Sequence, residues 1–134
     1  MLVNKIVARF VDGRIVKGST SDFLATKQTF HVAVFGTPPG SKPSLVQVNE
    51  LKALFFVKDL NGRPQHQARQ EFDPARPVLG RKIKVIFNDG EVLVGTTQGY
   101  QPGRPGFFMI PADSESNIER CFVVATATRV ISLL

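Results

Sequence analysis

The chain has no tryptophan, one tyrosine (Tyr100), one cysteine (Cys121) and two histidines. A lone cysteine excludes an internal disulfide framework and suits a reducing compartment. His31, His66 and Cys121 are widely spaced, with no C-x-x-C or H-x-x-x-H pattern, so no metal site and no cofactor are expected. No apolar run approaches the roughly 20 residues that cross a bilayer as a helix. Met1-Leu2-Val3-Asn4-Lys5 lacks the long apolar segment of a secretory leader. A cytoplasmic chain without membrane contact is the expectation. There is no block of five or six like charges, hence no basic tail, and no stretch with a sustained helical period.

What is present is enough to bury a core. The 134 residues are 43% hydrophobic and 21% charged, which fits one ordinary domain or two very small ones. Seventeen basic residues against eleven acidic ones leave a net charge of +6. The excess is uneven: residues 1–57 carry seven basic and three acidic groups, and residues 81–134 carry six and five. A basic surface attracts phosphate backbones, and any polyanion site is expected in the first half.

The chain repeats itself. Residues 5–20 (KIVARFVDGRIVKGST) match residues 82–97 (KIKVIFNDGEVLVGTT) at seven of sixteen positions, at an offset of 77. The offset carries on, with Phe23 on Tyr100, Phe30 on Phe107 and Val32 on Met109. Beyond that a one-residue shift is expected, placing Val46-Gln47-Val48 on Phe122-Val123-Val124 and Leu54-Phe55 on Val130-Ile131. The division expected is therefore a first unit over 1–58, a connector over 59–80 and a second unit over 81–134. The connector is dense in prolines and turn formers, and Phe72 is expected to anchor it.

Each unit reads as five strands. Ile6, Ala8 and Phe10 alternate with Lys5, Val7 and Arg9, and Ile83, Val85 and Phe87 alternate with Lys82, Lys84 and Ile86; period two with one apolar face marks a half-buried strand. Both strands run into Asp-Gly (Asp12-Gly13, Asp89-Gly90), a tight-hairpin signal. The return strands contain Gly18 and Gly95, as expected of a bend or a close backbone approach. Third strands hold Phe30 and Val32, or Phe107 and Met109. Fourth strands cover Leu45–Val48 or Cys121–Val124, and fifth strands Ala53–Val57 or Arg129–Leu133. Only a short helical turn fits, near Asn49–Lys52 or in the connector. The run Ala53-Leu54-Phe55-Phe56-Val57 is apolar on both faces, so Phe55 and Phe56 are expected at an interface, between the two units or with another chain, the alternative being cover by the chain's own connector.

The order strand, Asp-Gly turn, glycine-bent strand, loop, strand, loop, strand, short turn, strand resembles the Sm-like barrel. Ile6–Gly18 and Ile83–Gly95 carry the resemblance, which implies an all-β chain of two tandem five-stranded barrels. Gly80–Ile131 also resembles an uncharacterised bacterial domain of multidomain signalling and secretion proteins. The Arg-Gly or Lys-His that supplies much of the RNA pocket in Sm and Hfq-type proteins is absent: Val48-Asn49-Glu50-Leu51 and Val124-Ala125-Thr126-Ala127 stand there.

Candidate chemistry is sparse. Ser19, Ser21, Asp22 and His31 form the only local set of nucleophile and base types. The loop Gly99–Gly106 is glycine-rich but precedes a strand, so it matches no phosphate-binding fingerprint. Within it Tyr100 offers a stacking face and Arg104 a fork for phosphate or carboxylate; Lys27 holds the corresponding place in the first unit. Arg9 and Lys17 line up with Lys5 on an outward strand face, as do Lys82 and Lys84. The R-x-x-x-R and D-x-S-x-x-G signatures of PilZ-type cyclic-dinucleotide barrels are missing. The expectation is a non-enzymatic binding module that recognises a protein partner or itself through loops and sheet edges. RNA binding through Tyr100, Arg104, Lys27, Arg9 and Lys17 is the alternative.

Overall fold

The computed structural model describes residues 3–60, 72, 74, 80–113 and 116–134. The strands are β1 (Asn4–Phe10), β2 (Ile15–Thr20), β3 (Thr29–Val34), β4 (Ser44–Gln47), β5 (Leu51–Val57), β6 (Arg81–Phe87), β7 (Val92–Thr97), β8 (Gly106–Pro111), β9 (Ile118–Val124) and β10 (Thr128–Leu133). Single 3-10 turns, Val48–Glu50 and Ala125–Ala127, separate β4 from β5 and β9 from β10.

The chain is all-β, but the two closed barrels implied by the resemblance are not what forms. All ten strands make one open antiparallel sheet in the order β10-β6-β7-β8-β9-β5-β1-β2-β3-β4. The reason lies in β5. One of its edges pairs with β1 and the other with β9, so no edge of β5 is left to close on β4.

The duplication is stricter than the sequence suggests. Ile6↔Gly18 recurs as Ile83↔Gly95, Phe30↔Val46 as Phe107↔Val123, and Ala8↔Leu54 as Val85↔Ile131. Even the bulge recurs: the ladder skips Lys52 in β5 and Arg129 in β10. Every one of these pairs is displaced by 77 residues, so the expected one-residue shift is wrong. Leu45, not Val46, is the counterpart of Phe122. Apolar identity misled the alignment because Phe122 faces a neighbouring core that Leu45 lacks.

Two cores form, one on either side of the sheet. Ile6, Phe30, Leu54, Phe56, Phe122 and Val124 belong to the first. Phe55, Val57, Val85, Phe107, Cys121 and Val123 belong to the second. Strands β5 and β9 thus feed alternate side chains to both cores. That is why all seven residues of β5 are buried and why LKALFFV has no polar face.

The Asp-Gly hairpins place Gly13 and Gly90 at φ +97° and +92°, where a side chain is strained. Gly18 and Gly95 serve differently. A Cβ at Gly95 would lie 2.0 Å from the Ile110 carbonyl oxygen, and one at Gly18 would lie 2.2 Å from that of Ala33. Gly95→Ala should therefore lower the unfolding free energy by about 1–3 kcal/mol, read as a lower urea midpoint. Gly99→Ala, whose Cβ meets nothing within 4 Å, serves as the near-neutral control.

Most of the expected connector, 59–80, lies outside the described residues. Phe72 is half-buried, and the Lys82 ammonium stands 4.8 Å from its ring centre.

Candidate interaction surface

The junction between the halves shows what this sheet does with an edge. Antiparallel pairing sets Ala53 opposite Val123, Leu54 opposite Phe122, Phe55 opposite Cys121 and Phe56 opposite Arg120. The Phe23 ring then packs edge-on against Phe56, Phe108 and Phe122 with centroids 5.2–6.1 Å apart. The Arg120 guanidinium covers this cluster, 4.2 Å from the Phe56 ring and 4.8 Å from that of Phe108. Asn117 seals one end, donating from Nδ2 to the Asp59 carbonyl at 2.9 Å and accepting from the Asp59 N–H at 3.0 Å.

A cation closes the other end. Lys52 bulges from β5 into the hairpin of the second half, where its Nζ meets Asp89 at 2.7 Å and Glu91, and lies 4.8 Å from the Phe87 ring centre. The Lys52 hydrogen bond, the Glu91 backbone N–H and the Lys52 charge together hold the Asp89 carboxyl below its ordinary value of 3.8. In the first half the corresponding hairpin is closed locally, with Arg14 paired to Asp12 at 2.8 Å and to Glu50 at 3.6 Å.

Among the described residues two edges of the sheet have no such neighbour. β4 and β10 end the strand order. On them Leu45 is 60% exposed, Val130 43% and Leu133 38%. Backbone groups and apolar side chains together make such an edge a template for another strand.

The residues expected to bind ligands are placed as follows. Lys5, Arg9 and Lys17 do share a face, since Lys5 and Arg9 flank Val7, which pairs with Lys17. They are engaged from within the chain: Lys5 Nζ donates to the Lys58 carbonyl at 3.5 Å, Lys17 Nζ to that of Leu60 at 3.1 Å, and Arg9 lies over Phe55 at 5.6 Å. Tyr100 and Arg104 share the β7–β8 loop. Tyr100 turns its edge against Phe107, 4.9 Å away at 72°, and is half-buried, whereas Arg104 is exposed. Lys27 is exposed on the β2–β3 loop of the other half. Phe55 and Phe56 are buried on opposite faces of β5, one in each core.

His31 Nδ1 sits 2.7 Å from Asp22 Oδ2, and Asp22 Oδ1 accepts from the His31 N–H and the Thr20 hydroxyl. Partial burial pushes the Asp22 pKa up, but these hydrogen bonds outweigh it and hold the group below 3.8. Among the described residues no hydroxyl bonds the other ring nitrogen of His31, so the pair orients a loop without arming a nucleophile. Burial pushes the Cys121 thiol far above its usual range, which removes it as a nucleophile near neutrality. Among the described residues no group of three or more His, Cys, Asp or Glu stands ready for a metal, and no helix is long and apolar enough to cross a membrane.

Residues 2–134 match the profile of DUF6982, a family of unknown function. The chain belongs to that family. No curated protein and no solved structure matches it. For this DUF6982 chain the candidate surface rests on geometry alone. The residues missed by sequence reasoning are Leu45, Val130 and Leu133 on the edges, and Lys52 and Phe122 at the junction. The one usable signal was the repeat itself: it shows which positions are equivalent, and so which ones lack a partner.

Proposed function

We propose that this chain is a non-enzymatic protein-interaction module, made of two Sm-like units, that accepts added strands along β4 and β10. The Sm-like reading draws support from each half having the spatial order fifth, first, second, third, fourth strand, with a glycine-bent second strand and a 3-10 turn before the fifth. The interaction reading is carried by one observation: two edges that no strand pairs among the described residues, bearing outward apolar side chains, Leu45 on one and Val130 and Leu133 on the other. Main-chain bonds along such an edge supply affinity and the flanking side chains supply selection.

A photo-reactive phenylalanine analogue at position 45 or 133 tests this in cells. Discrete protein adducts are expected at both positions. None are expected at Ile15 or Ile110, which are similarly exposed but lie on the inner strands β2 and β8. Equal labelling at all four positions, or none at 45 and 133, would overturn the proposal. Adducts to RNA that fade steeply with salt would replace it with the nucleic-acid alternative.

A further inference from the structure

We infer that the open end of the second core is a binding site for an aromatic carboxylate, which seats its ring between Tyr100 and Leu133 and its anion on Arg81. The inference goes beyond the strand-accepting edges and does not depend on them.

A cavity of about 250 Å³ opens where β6 begins and β7 and β10 finish. Among the described residues it is lined by Gly80, Arg81, Thr97, Gln98, Tyr100 and Leu133. The ladder brings them together. Arg81 stands opposite Thr97, Ile83 opposite Gly95, and Leu133 opposite Ile83. Paired residues, and residues two apart along a strand, share a face. Arg81, Thr97 and Leu133 therefore lie on the side of the sheet that holds Ile83, Val85 and Phe87, the second core. A cation is out of place there. Arg81 continues the inward stripe of β6, where a period of two calls for an apolar residue. No carboxylate among the described lining residues pairs with it.

Three polar groups around the cavity are unused. The Arg81 guanidinium, the Gln98 amide and the Tyr100 hydroxyl make no hydrogen bond or ion pair among the described residues. Thr97 differs: its hydroxyl donates to the Phe108 carbonyl at 2.8 Å and accepts from the Gly99 N–H at 3.4 Å. It forms a wall and leaves recognition to the other three.

The repeat shows what kind of group fits. Displaced by 77 residues, Tyr100 and Leu133 correspond to Phe23 and Phe56. In the first half the space beside those two rings is filled by Phe108 and Phe122, whose centroids lie 6.1 and 5.2 Å from that of Phe23. The Arg120 guanidinium covers Phe56 and Phe108. In the second half the same two walls surround a cavity, and Leu133 is 38% exposed where Phe56 is 3%. A guanidinium is again at hand, supplied here by Arg81. An aromatic ring is thus the group this geometry already accepts once.

Size and charge narrow the class. A cavity of ~150 Å³ holds benzene, so this one takes a ring with a short arm. Arg81 and Leu133 are diagonal neighbours on adjacent strands, about 7–8 Å apart, which places the anion on that arm. One guanidinium meets one carboxylate as a bidentate pair, and the Gln98 amide and Tyr100 hydroxyl are the further donors. A phosphate monoester, nearly doubly charged, calls for a second cation. Lys82, the next residue, lies on the opposite face over Phe72. The ligand chemistry is shared by a free arylalkanoic acid and by a C-terminal phenylalanine or tyrosine of a partner chain.

The test uses the full chain. Tyr100 is the only tyrosine and there is no tryptophan, so intrinsic fluorescence reports on the cavity directly. Titration with 3-phenylpropionate is expected to change that emission saturably. Its amide, which lacks the charge, and propionate, which lacks the ring, are expected to bind about tenfold more weakly or worse. Arg81→Gln is expected to lower affinity for the acid by about tenfold or more, with the melting temperature and the affinity for the amide unchanged. Leu133→Ala is expected to weaken acid and amide alike. A short peptide ending in phenylalanine separates the two sources: binding tighter than that of 3-phenylpropionate assigns the site to a chain end, and equal or weaker binding to a free acid.

No saturable change with the acid, an amide that binds as well as the acid, or an Arg81→Gln variant that binds the acid unchanged would each overturn the inference. So would uridine monophosphate displacing the acid at a lower concentration than the acid itself requires. Crosslinking from position 45 reads only the β4 edge, and Tyr100 fluorescence only the cavity, so the failure of one reading leaves the other standing.

Discussion

Phe122→Ala is expected to lower the unfolding free energy by about 3–5 kcal/mol, the range for truncating a fully buried aromatic. Phe122 is carried by a strand of the second half yet buried in the first core, between Phe23 and Phe108. Its removal opens a cavity where the halves meet, and both cores share β5 and β9, so neither half is expected to melt alone. Far-UV circular dichroism reads the whole sheet, and the fluorescence of Tyr100, the only tyrosine, reads the second half. Both probes should shift to the same lower urea midpoint. Leu45→Ala, at the equivalent position of the repeat but exposed, should move the midpoint of the single chain by no more than about 0.5 kcal/mol. Separate transitions for the two probes would show that the halves are independent.

Lys52 is the second sensitive point, and here the sign depends on the replacement. Its side chain is almost wholly buried, whereas its partners Asp89 and Glu91 are about half exposed. Lys52→Met removes the cation but leaves two carboxylates that water can solvate and an apolar stem against Phe87; a loss of about 1 kcal/mol or less is expected. Lys52→Glu buries a third carboxylate among two others, and a loss of about 3–5 kcal/mol is expected. Acid titration separates the electrostatic part. Because the Asp89 carboxyl is lowered in the folded chain, its contribution is present above the ordinary value of 3.8 and disappears as pH falls through the lowered one. The difference in stability between wild type and Lys52→Met should therefore shrink below that point.

Much of this was legible before any coordinates. The alternation in Lys5–Phe10 and Lys82–Phe87, the Asp-Gly turns and the in-strand glycines are local features, and local steric rules are enough to read them. The candidate binding residues were less legible. Arg9, Lys17 and Tyr100 have side-chain types that suit ligands, but those types also suit contacts inside the chain, where Lys17 and Tyr100 are engaged. Leu45 looked like an ordinary strand residue, because nothing in its neighbourhood of the sequence says that no strand lies beside it.

The amino-acid order by itself determined the strands, the hairpins and the existence of two equivalent units. Each of those depends on a period of two or on a turn a few residues long. Tertiary structure alone decided that β5 takes β9 as its second neighbour, that the sheet stays open, and that β4 and β10 are left over. An apolar strand demands cover on both faces without naming what supplies it; that choice is made by contacts between residues 61–70 positions apart.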